Sequence, residues 1–268
     1  DPVTYEPFGD WMVPWRFGGV EDEYRALRAG VGLVDYSTQA VLECRGADRI
    51  DFLHRLLTND IARLAPGMGC RAALLTPAAR LVAEVVALAD ADVHWLLCDL
   101  QRAGPLAGAL ERYRFSEDVA IVNHERRWGV LALQGSGAVA LAEAISGVPL
   151  SALDPGGHVE GTCDGTPVKL LRHSLTGDEG VLGLVPAEAM ERLWHWLLAR
   201  GGPRGVRPVG WEALNAARSE DGLPWTGPDL DETTLLPDTG LEAVLASGTK
   251  GCYPGQEIVA RMQTYGAP

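Results

Sequence analysis

The chain has 268 residues, with 23 Lys+Arg against 36 Asp+Glu, a formal charge of −13 and 47% hydrophobic residues. That length holds one large domain or two small ones with a sizeable core, and the acidic balance argues against general binding to phosphate backbones. No apolar run reaches the roughly 18 residues of a membrane span, and the opening DPVTYEPFGDWM lacks the basic-then-apolar order of a secretory signal.

From Val41 onward the chain reads as alternating elements. Residues 41–44 form a short strand, and Gly46 leads into a helix on which Ile50, Leu53 and Leu57 recur at i, i+3, i+7. Residues 70–76 and 81–88 read as strands joined by a turn around Pro77. A strand at 93–98, a helix at 101–113 and a strand at 119–122 close the unit. The order then repeats. Residues 130–133 are a strand, Gln134-Gly135 echoes Arg45-Gly46, and 138–145 is an alanine-rich helix. Strands follow near 168–171 and 181–185. Pro186 suits the first turn of a helix carrying Met190, Leu193, Trp194 and Leu197 on one face. Two successive β-α-β-β-α-β-like units predict an α+β fold of two related, ferredoxin-like lobes. After a helix-like stretch at 211–220 the texture changes: between Ser219 and Thr249 there are seven acids and no Lys or Arg.

Cys44, Cys70, Cys98, Cys163 and Cys252 are scattered without a C-x-x-C, so no zinc-ribbon or ferredoxin-type site can be read. An odd, sparse set suits a reducing cytoplasm. The histidines lack metal-ligand spacing, and nucleophile-elbow, Walker and Rossmann motifs are missing. Asp229, Asp231 and Glu232 admit a cation or general-base site or a solvated loop, and Asp178 and Glu179 between two glycines read as a turn. The sharpest segment is 250–261, KGCYPGQEIVAR. There Gly251 and Gly255 let the backbone come close to a ligand, and Pro254 precedes a helix over 256–261. Cys252 falls just ahead of that helix and two residues from Lys250, one of the two lysines in the chain. Both neighbours favour a thiolate. A buried structural cysteine in a glycine turn fits the same pattern.

Segment 250–261 resembles the K-G-C-[YF]-x-G-Q-E signature of the YgfZ family of folate-binding proteins. FGDWMVPWRFGG (8–19), AGVGLVDYSTQAVLECRG (29–46), FLHRLLTNDI (52–61), LALQG (131–135), TGDEG (176–180), EDGLP (220–224) and DLDETT (229–234) are similar to the glycine-cleavage T protein, an aminomethyltransferase. YRFSEDVAI (113–121) is closer to YgfZ. The resemblance implies a T-protein-type folate-binding domain over 1–268, with lobe one at about 41–124, lobe two at about 125–249 and 1–40 packed against the lobes. It implies tetrahydrofolate or a derivative as cofactor. It also implies a C-terminal β-barrel, for which too little chain follows Arg261. Carried over residue by residue, it makes Arg218, Glu84, Cys98 and Tyr113 folate contacts and Cys252 with Lys250 the reactive pair. Gly251, Tyr253, Gly255, Gln256, Glu257 and Arg261 form the rest of the motif. The chain also departs from the T protein: its paired aspartates are Ala83 and Glu84 here, its strand-end asparagine is Cys98, and its pterin-contacting glutamate is Leu182.

The resemblance thus implies a cytoplasmic, tetrahydrofolate-binding accessory factor for iron–sulfur cluster assembly or repair. Folate would lie in a cleft near Arg218 with Cys252 at the rim, and iron–sulfur client or assembly proteins would be the partners. A one-carbon transferase or demethylase, with Glu84, Glu220 or Asp229 supplying the carboxylate, is the enzymatic alternative. A non-catalytic module that docks basic partners on the acidic 219–249 face is the third.

Overall fold

The computed structural model describes residues 2–124, 126–201 and 205–265. In chain order the backbone forms β1 (Thr4–Phe8), β2 (Trp11–Arg16), α1 (Val20–Ala29), β3 (Val31–Asp35), β4 (Gln39–Arg45), α2 (Arg49–Leu56), β5 (Gly69–Leu75) and β6 (Leu81–Ala89). It continues with β7 (Val93–Asp99), α3 (Leu100–Tyr113), β8 (Ala120–Asn123), β9 (Trp128–Gln134), α4 (Ala138–Ser146), β10 (His158–Cys163) and β11 (Thr166–Arg172). β12 (Gly180–Pro186), α5 (Met190–Gly201), β13 (Val206–Pro208), α6 (Trp211–Glu220), α7 (Glu242–Leu245) and α8 (Gln256–Tyr265) complete it. None of the described helices is long and apolar enough to cross a membrane.

The chain divides into two compact units, one of Asp1–Thr38 with Arg126–Pro224 and one of Gln39–Glu125 with Trp225–Pro268. In the first, a sheet of order β10-β11-β12-β9-β3-β13 is antiparallel except for the β3–β13 pair. One face packs on α4 and α5 through Leu131, Leu133, Val168, Leu170, Val181 and Leu193. Elsewhere in this unit α1 packs on α6. The buried Glu23 staples the chain there: its carboxylate accepts N–H bonds from Phe17 (2.7 Å), Gly18 (2.6 Å) and Gly210 (2.7 Å). Such a charge is tolerated in a core because its oxygens are satisfied.

The second unit is a wholly antiparallel sheet of order β5-β6-β7-β4-β8. Leu42, Leu74, Val85 and Leu96 bury one face under Phe52, Leu53, Leu106 and Leu110 of α2 and α3. On the β5–β6 hairpin, Ala73, Leu75, Ala79 and Leu81 are covered by Leu230, Leu236, Leu241, Leu245, Tyr253 and Val259.

Both units thread a β-α-β-β-β-α-β order, with β3 inserted between β9 and β13 in the first. The echo of Arg45-Gly46 in Gln134-Gly135 is a shared turn between strand and helix. Gly46 has φ +114° and Gly135 φ +113°, where a Cβ would meet the Asp118 carbonyl oxygen at 2.0 Å and the Gly30 carbonyl oxygen at 2.7 Å. Only glycine fits both the conformation and the approach.

Three expectations change. Residues 225–249 join the 41–124 lobe rather than the 125–249 lobe, because their leucines cover the hairpin and Leu81 N–H donates to the Thr234 carbonyl (2.9 Å). Residues 1–38 join the other lobe, β3 pairing with β9. Residue 125, the expected boundary, lies outside the described residues. Pro186 ends β12 opposite Trp128 instead of opening a helix; a short 3-10 turn, Ala187–Ala189, precedes α5.

Candidate functional site

Within the signature segment, buried and exposed positions interleave. Lys250 and Tyr253 are buried, while Gly251 and Cys252 are exposed. The Lys250 ammonium donates to the carbonyls of His54 and Leu57, at the C-terminal end of α2, and lies 5.2 Å from the Tyr253 ring centroid. Burial pushes its pKa down to about 8, with Asp60, Cys70 and Cys252 acting the other way. A cation on the last carbonyls of a helix satisfies orphan acceptors and complements the macrodipole. The Lys250 charge thus has a structural role at the end of α2 while still interacting with Cys252. Thr58 and Asn59 of the same junction hold α7: Thr58 Oγ1 donates to the Leu245 carbonyl, and Asn59 Nδ2 to those of Arg71 (2.8 Å) and Val244 (3.0 Å).

Gly255 has φ +82°, and a Cβ there would lie 2.7 Å from the Thr76 carbonyl oxygen and 2.8 Å from Ala79 Cα. The motif is thus pressed on the β5–β6 turn. Gln256 and Glu257 then open α8, where a carboxylate suits the helix N-terminus. Arg261 is exposed. Cys44 and Cys98 are buried and burial pushes both thiols up to about 12; it does the same to the half-buried Cys70, and takes Cys163 to about 11. Cys252 is the exposed one.

A second constellation lies on the sheet of the same unit. Arg71 on β5 donates to Glu84 Oε1 on β6 from Nε (2.8 Å) and Nη2 (2.6 Å). β6 and β7 pair Val86 with Leu97, the last pair of their ladder, and the two-residue alternation of each strand puts Glu84 and Asp99 on that same face. Asp99 Oδ1 caps α3 by accepting from Gln101 N–H (2.9 Å). Burial pushes the Asp99 carboxyl up to about 6, against the pull of the Gln101 N–H and Arg102. The ladder places Gln39 of β4 opposite it.

Cys98, one residue earlier, points to the other face and into the core beneath α2 and α3, where Tyr113 also packs. The structure thus places Cys98 and Tyr113 on the core side of the sheet and Glu84 on the other face. Arg218 lies in the other unit, buried on α6. It donates to Asn215 Oδ1 from Nε (2.9 Å) and Nη2 (2.6 Å) and to the Leu223 carbonyl from Nη1 (3.0 Å), which ties it to its own helix and the following turn. Leu182 is buried on β12. The acidic loop resolves mostly into turn contacts. Asp231 accepts from Thr233 and Thr234, Asp229 from Trp225 N–H (2.8 Å), and Glu232 pairs with Arg102 (3.2 Å).

One cluster escaped the sequence reading. Arg28 of α1 gathers TGDEG and EDGLP, bonding the Thr176 carbonyl (2.8 Å), Asp178 (2.8 Å), Glu220 (2.7 Å) and Asp221 (3.0 Å). Burial opposes its charge, but Asp178, Tyr24, Glu220 and Asp221 more than offset this and raise its pKa.

The chain matches the GCVT N-terminal domain family over residues 3–248. It is 27% identical over 262 residues to an aminomethyltransferase of Desulfitobacterium hafniense, covering 97% of this chain and 72% of that protein. It is 29% identical over 260 residues to an aminomethyltransferase of Rubrobacter xylanophilus, covering 97% and 68%. The solved glycine cleavage system aminomethyltransferase T from Bartonella henselae superposes with a TM-score of 0.86 at 25% identity, covering 98% of this chain and 71% of that one. The heterotetrameric sarcosine oxidase of Corynebacterium sp. U-96 shares the fold at a TM-score of 0.50 and 20% identity, covering 71% and 94%. By the extent of that family match, the chain belongs to the GCVT N-terminal domain family.

Proposed function

We propose that this protein binds a reduced folate and acts on the one-carbon unit that the folate carries, in the manner of an aminomethyltransferase. The observation that carries this reading is Glu84 held by Arg71, on the same sheet face of the second unit as Asp99. Likeness to aminomethyltransferases over 97% of the chain supports it.

The donor set suits a pterin: two carboxylates accept the N–H groups of an aminopyrimidinone, and the apolar Val86 and Leu97 adjoin them on the same face. Tetrahydrofolate supplies the nitrogens that take up the one-carbon unit. What the chain adds is orientation and proton handling. Arg71 occupies Glu84 Oε1, which fixes the carboxylate and leaves Oε2 to accept. Burial pushes the Asp99 carboxyl up to about 6, toward the range of a group that takes and returns a proton. The T protein's second aspartate is thereby answered by Glu84, one methylene longer, and the first by nothing equivalent. The test is methylenetetrahydrofolate formation from aminomethyl thioether donors, whose carbon is already at the formaldehyde level: two bonds to folate nitrogens form as the donor's C–S and C–N bonds break, releasing thiol and ammonia with no change of oxidation state. Glu84→Gln should lower turnover by about 100-fold or more, and no turnover by folded wild type would count against this reading.

Exposed Cys252 favours a second reading. It lies in the YgfZ-like 250–261 segment, beyond the 3–248 family match, and would serve a folate-binding accessory factor for iron–sulfur proteins. In a strain lacking the protein, Cys252→Ser should then fail to restore iron–sulfur enzyme activity while still binding folate. Full restoration would remove the second reading.

A further inference from the structure

We infer that the first unit carries a separate binding site for a small organic ammonium ion. The site is a surface cavity of about 360 Å³ that the motifs and the carboxylate pair do not use. Small-molecule pockets begin at about 300 Å³.

Three aromatic rings, two carboxylates and two thioethers set its chemistry. Phe17, following β2, stacks on Trp194 of α5 with centroids 5.5 Å apart and ring planes at 26°. Met190 lies one turn earlier on the same helix, and Tyr5 of β1 completes the apolar lining. Tyr5 and Met12, which also borders the cavity, are 56% and 61% exposed, an apolar surface left open to water on a short hairpin. Asp35, at the end of β3, and Glu191, in the first turn of α5, bring the carboxylates, and none of the described lining residues is basic. Asp35 uses Oδ1 to hold Ser37 N–H (3.1 Å), which fixes its side chain.

An anion is repelled by this lining, and a plain hydrocarbon gains nothing from the carboxylates. A cation with apolar substituents gains from both: its charge from Asp35 and Glu191 and from the faces of the rings, its methyl groups from Trp194, Phe17 and Met190. Methylated amines and quaternary ammonium compounds are therefore the class that fits.

The test uses the whole protein with tetramethylammonium chloride as probe and tert-butanol and trimethylacetate as neutral and anionic comparators, followed by calorimetry and ligand-observed NMR. Saturable binding of tetramethylammonium alone is expected, weakened about tenfold in Trp194→Leu and abolished in Glu191→Lys. Glu191 is exposed, so the second variant retains the fold, which an unchanged melting temperature verifies. The proposal is overturned by tert-butanol binding equally well, by the absence of saturation, or by binding that both variants leave unchanged. Each outcome is independent of folate, so failure here leaves the folate reading standing.

Discussion

Gly255→Ala is the sharpest test of how the signature segment is held. The glycine sits at φ +82°, a region that costs an L-residue about 1–2 kcal/mol. The added Cβ would meet the Thr76 carbonyl oxygen at 2.7 Å and Ala79 Cα at 2.8 Å. Both are backbone atoms of a turn fixed by Ala79 N–H on the Thr76 carbonyl and Thr76 N–H on the Arg80 carbonyl, each 2.9 Å, so neither can rotate away. Overpacking against such atoms costs about 1–3 kcal/mol, and together the loss is about 3 kcal/mol. For a protein of this size that is a fall in Tm of roughly 6–12 °C. Gly251→Ala, in the same segment, is the control: nothing lies within 4 Å of its Cβ position. It should stay within about 0.5 kcal/mol of wild type. Urea and thermal unfolding of both variants measure the difference. Equal stability of the two would refute the claim that the motif is pressed on the β5–β6 turn.

Other outcomes follow from the same geometry. Lys250 titrates near about 8 in the fold against 10.5 when free, so between those values the unfolded chain binds more protons and wild-type stability rises with pH. Urea titrations of Lys250→Met should lack that rise, worth up to about 3 kcal/mol, and an identical pH dependence would contradict the buried ammonium. An NMR titration should place the Asp99 carboxyl near about 6, and the acid limb of any folate-dependent activity should disappear in Asp99→Asn. A midpoint near the free-aspartate value would remove Asp99 from proton transfer. A maleimide added to native protein should label Cys252 first, because burial covers Cys44, Cys98 and Cys163 and raises the Cys70 thiol to about 12. Fast labelling that survives in Cys252→Ser would contradict this.

Strands β4 to β7 and the helices packed on them were legible because they bury apolar residues in runs or alternation that show in the sequence. β10, HVEGTC, was not: it is an edge strand with little to bury. β13 is three residues long, and β1 and β2 carry Pro7 and Pro14, so none announces itself by pattern. Pro186 misled because a proline that lacks an N–H is tolerated equally at a strand end and in a first helical turn. The membership of 225–265 in the second unit depends on leucines meeting a hairpin far away in sequence, which no local period encodes. At the site, Glu84 was readable from its motif position. Asp99 was lost by a single residue: Cys98 and Asp99 are neighbours on β7, and the strand's period of two sends one into the core and the other to the carboxylate face. Lys250 was read for its closeness to Cys252 in sequence, whereas its ammonium reaches the end of α2, 193 residues away at Leu57.

Anaerobic titration of the purified protein with tetrahydrofolate, followed by calorimetry and tryptophan fluorescence, addresses the folate reading most directly. Saturable binding at one site per chain, weakened in Glu84→Gln and retained in Cys252→Ser, is the predicted result. A folded protein that shows no saturable binding, or whose affinity is untouched by Glu84→Gln, would contradict it.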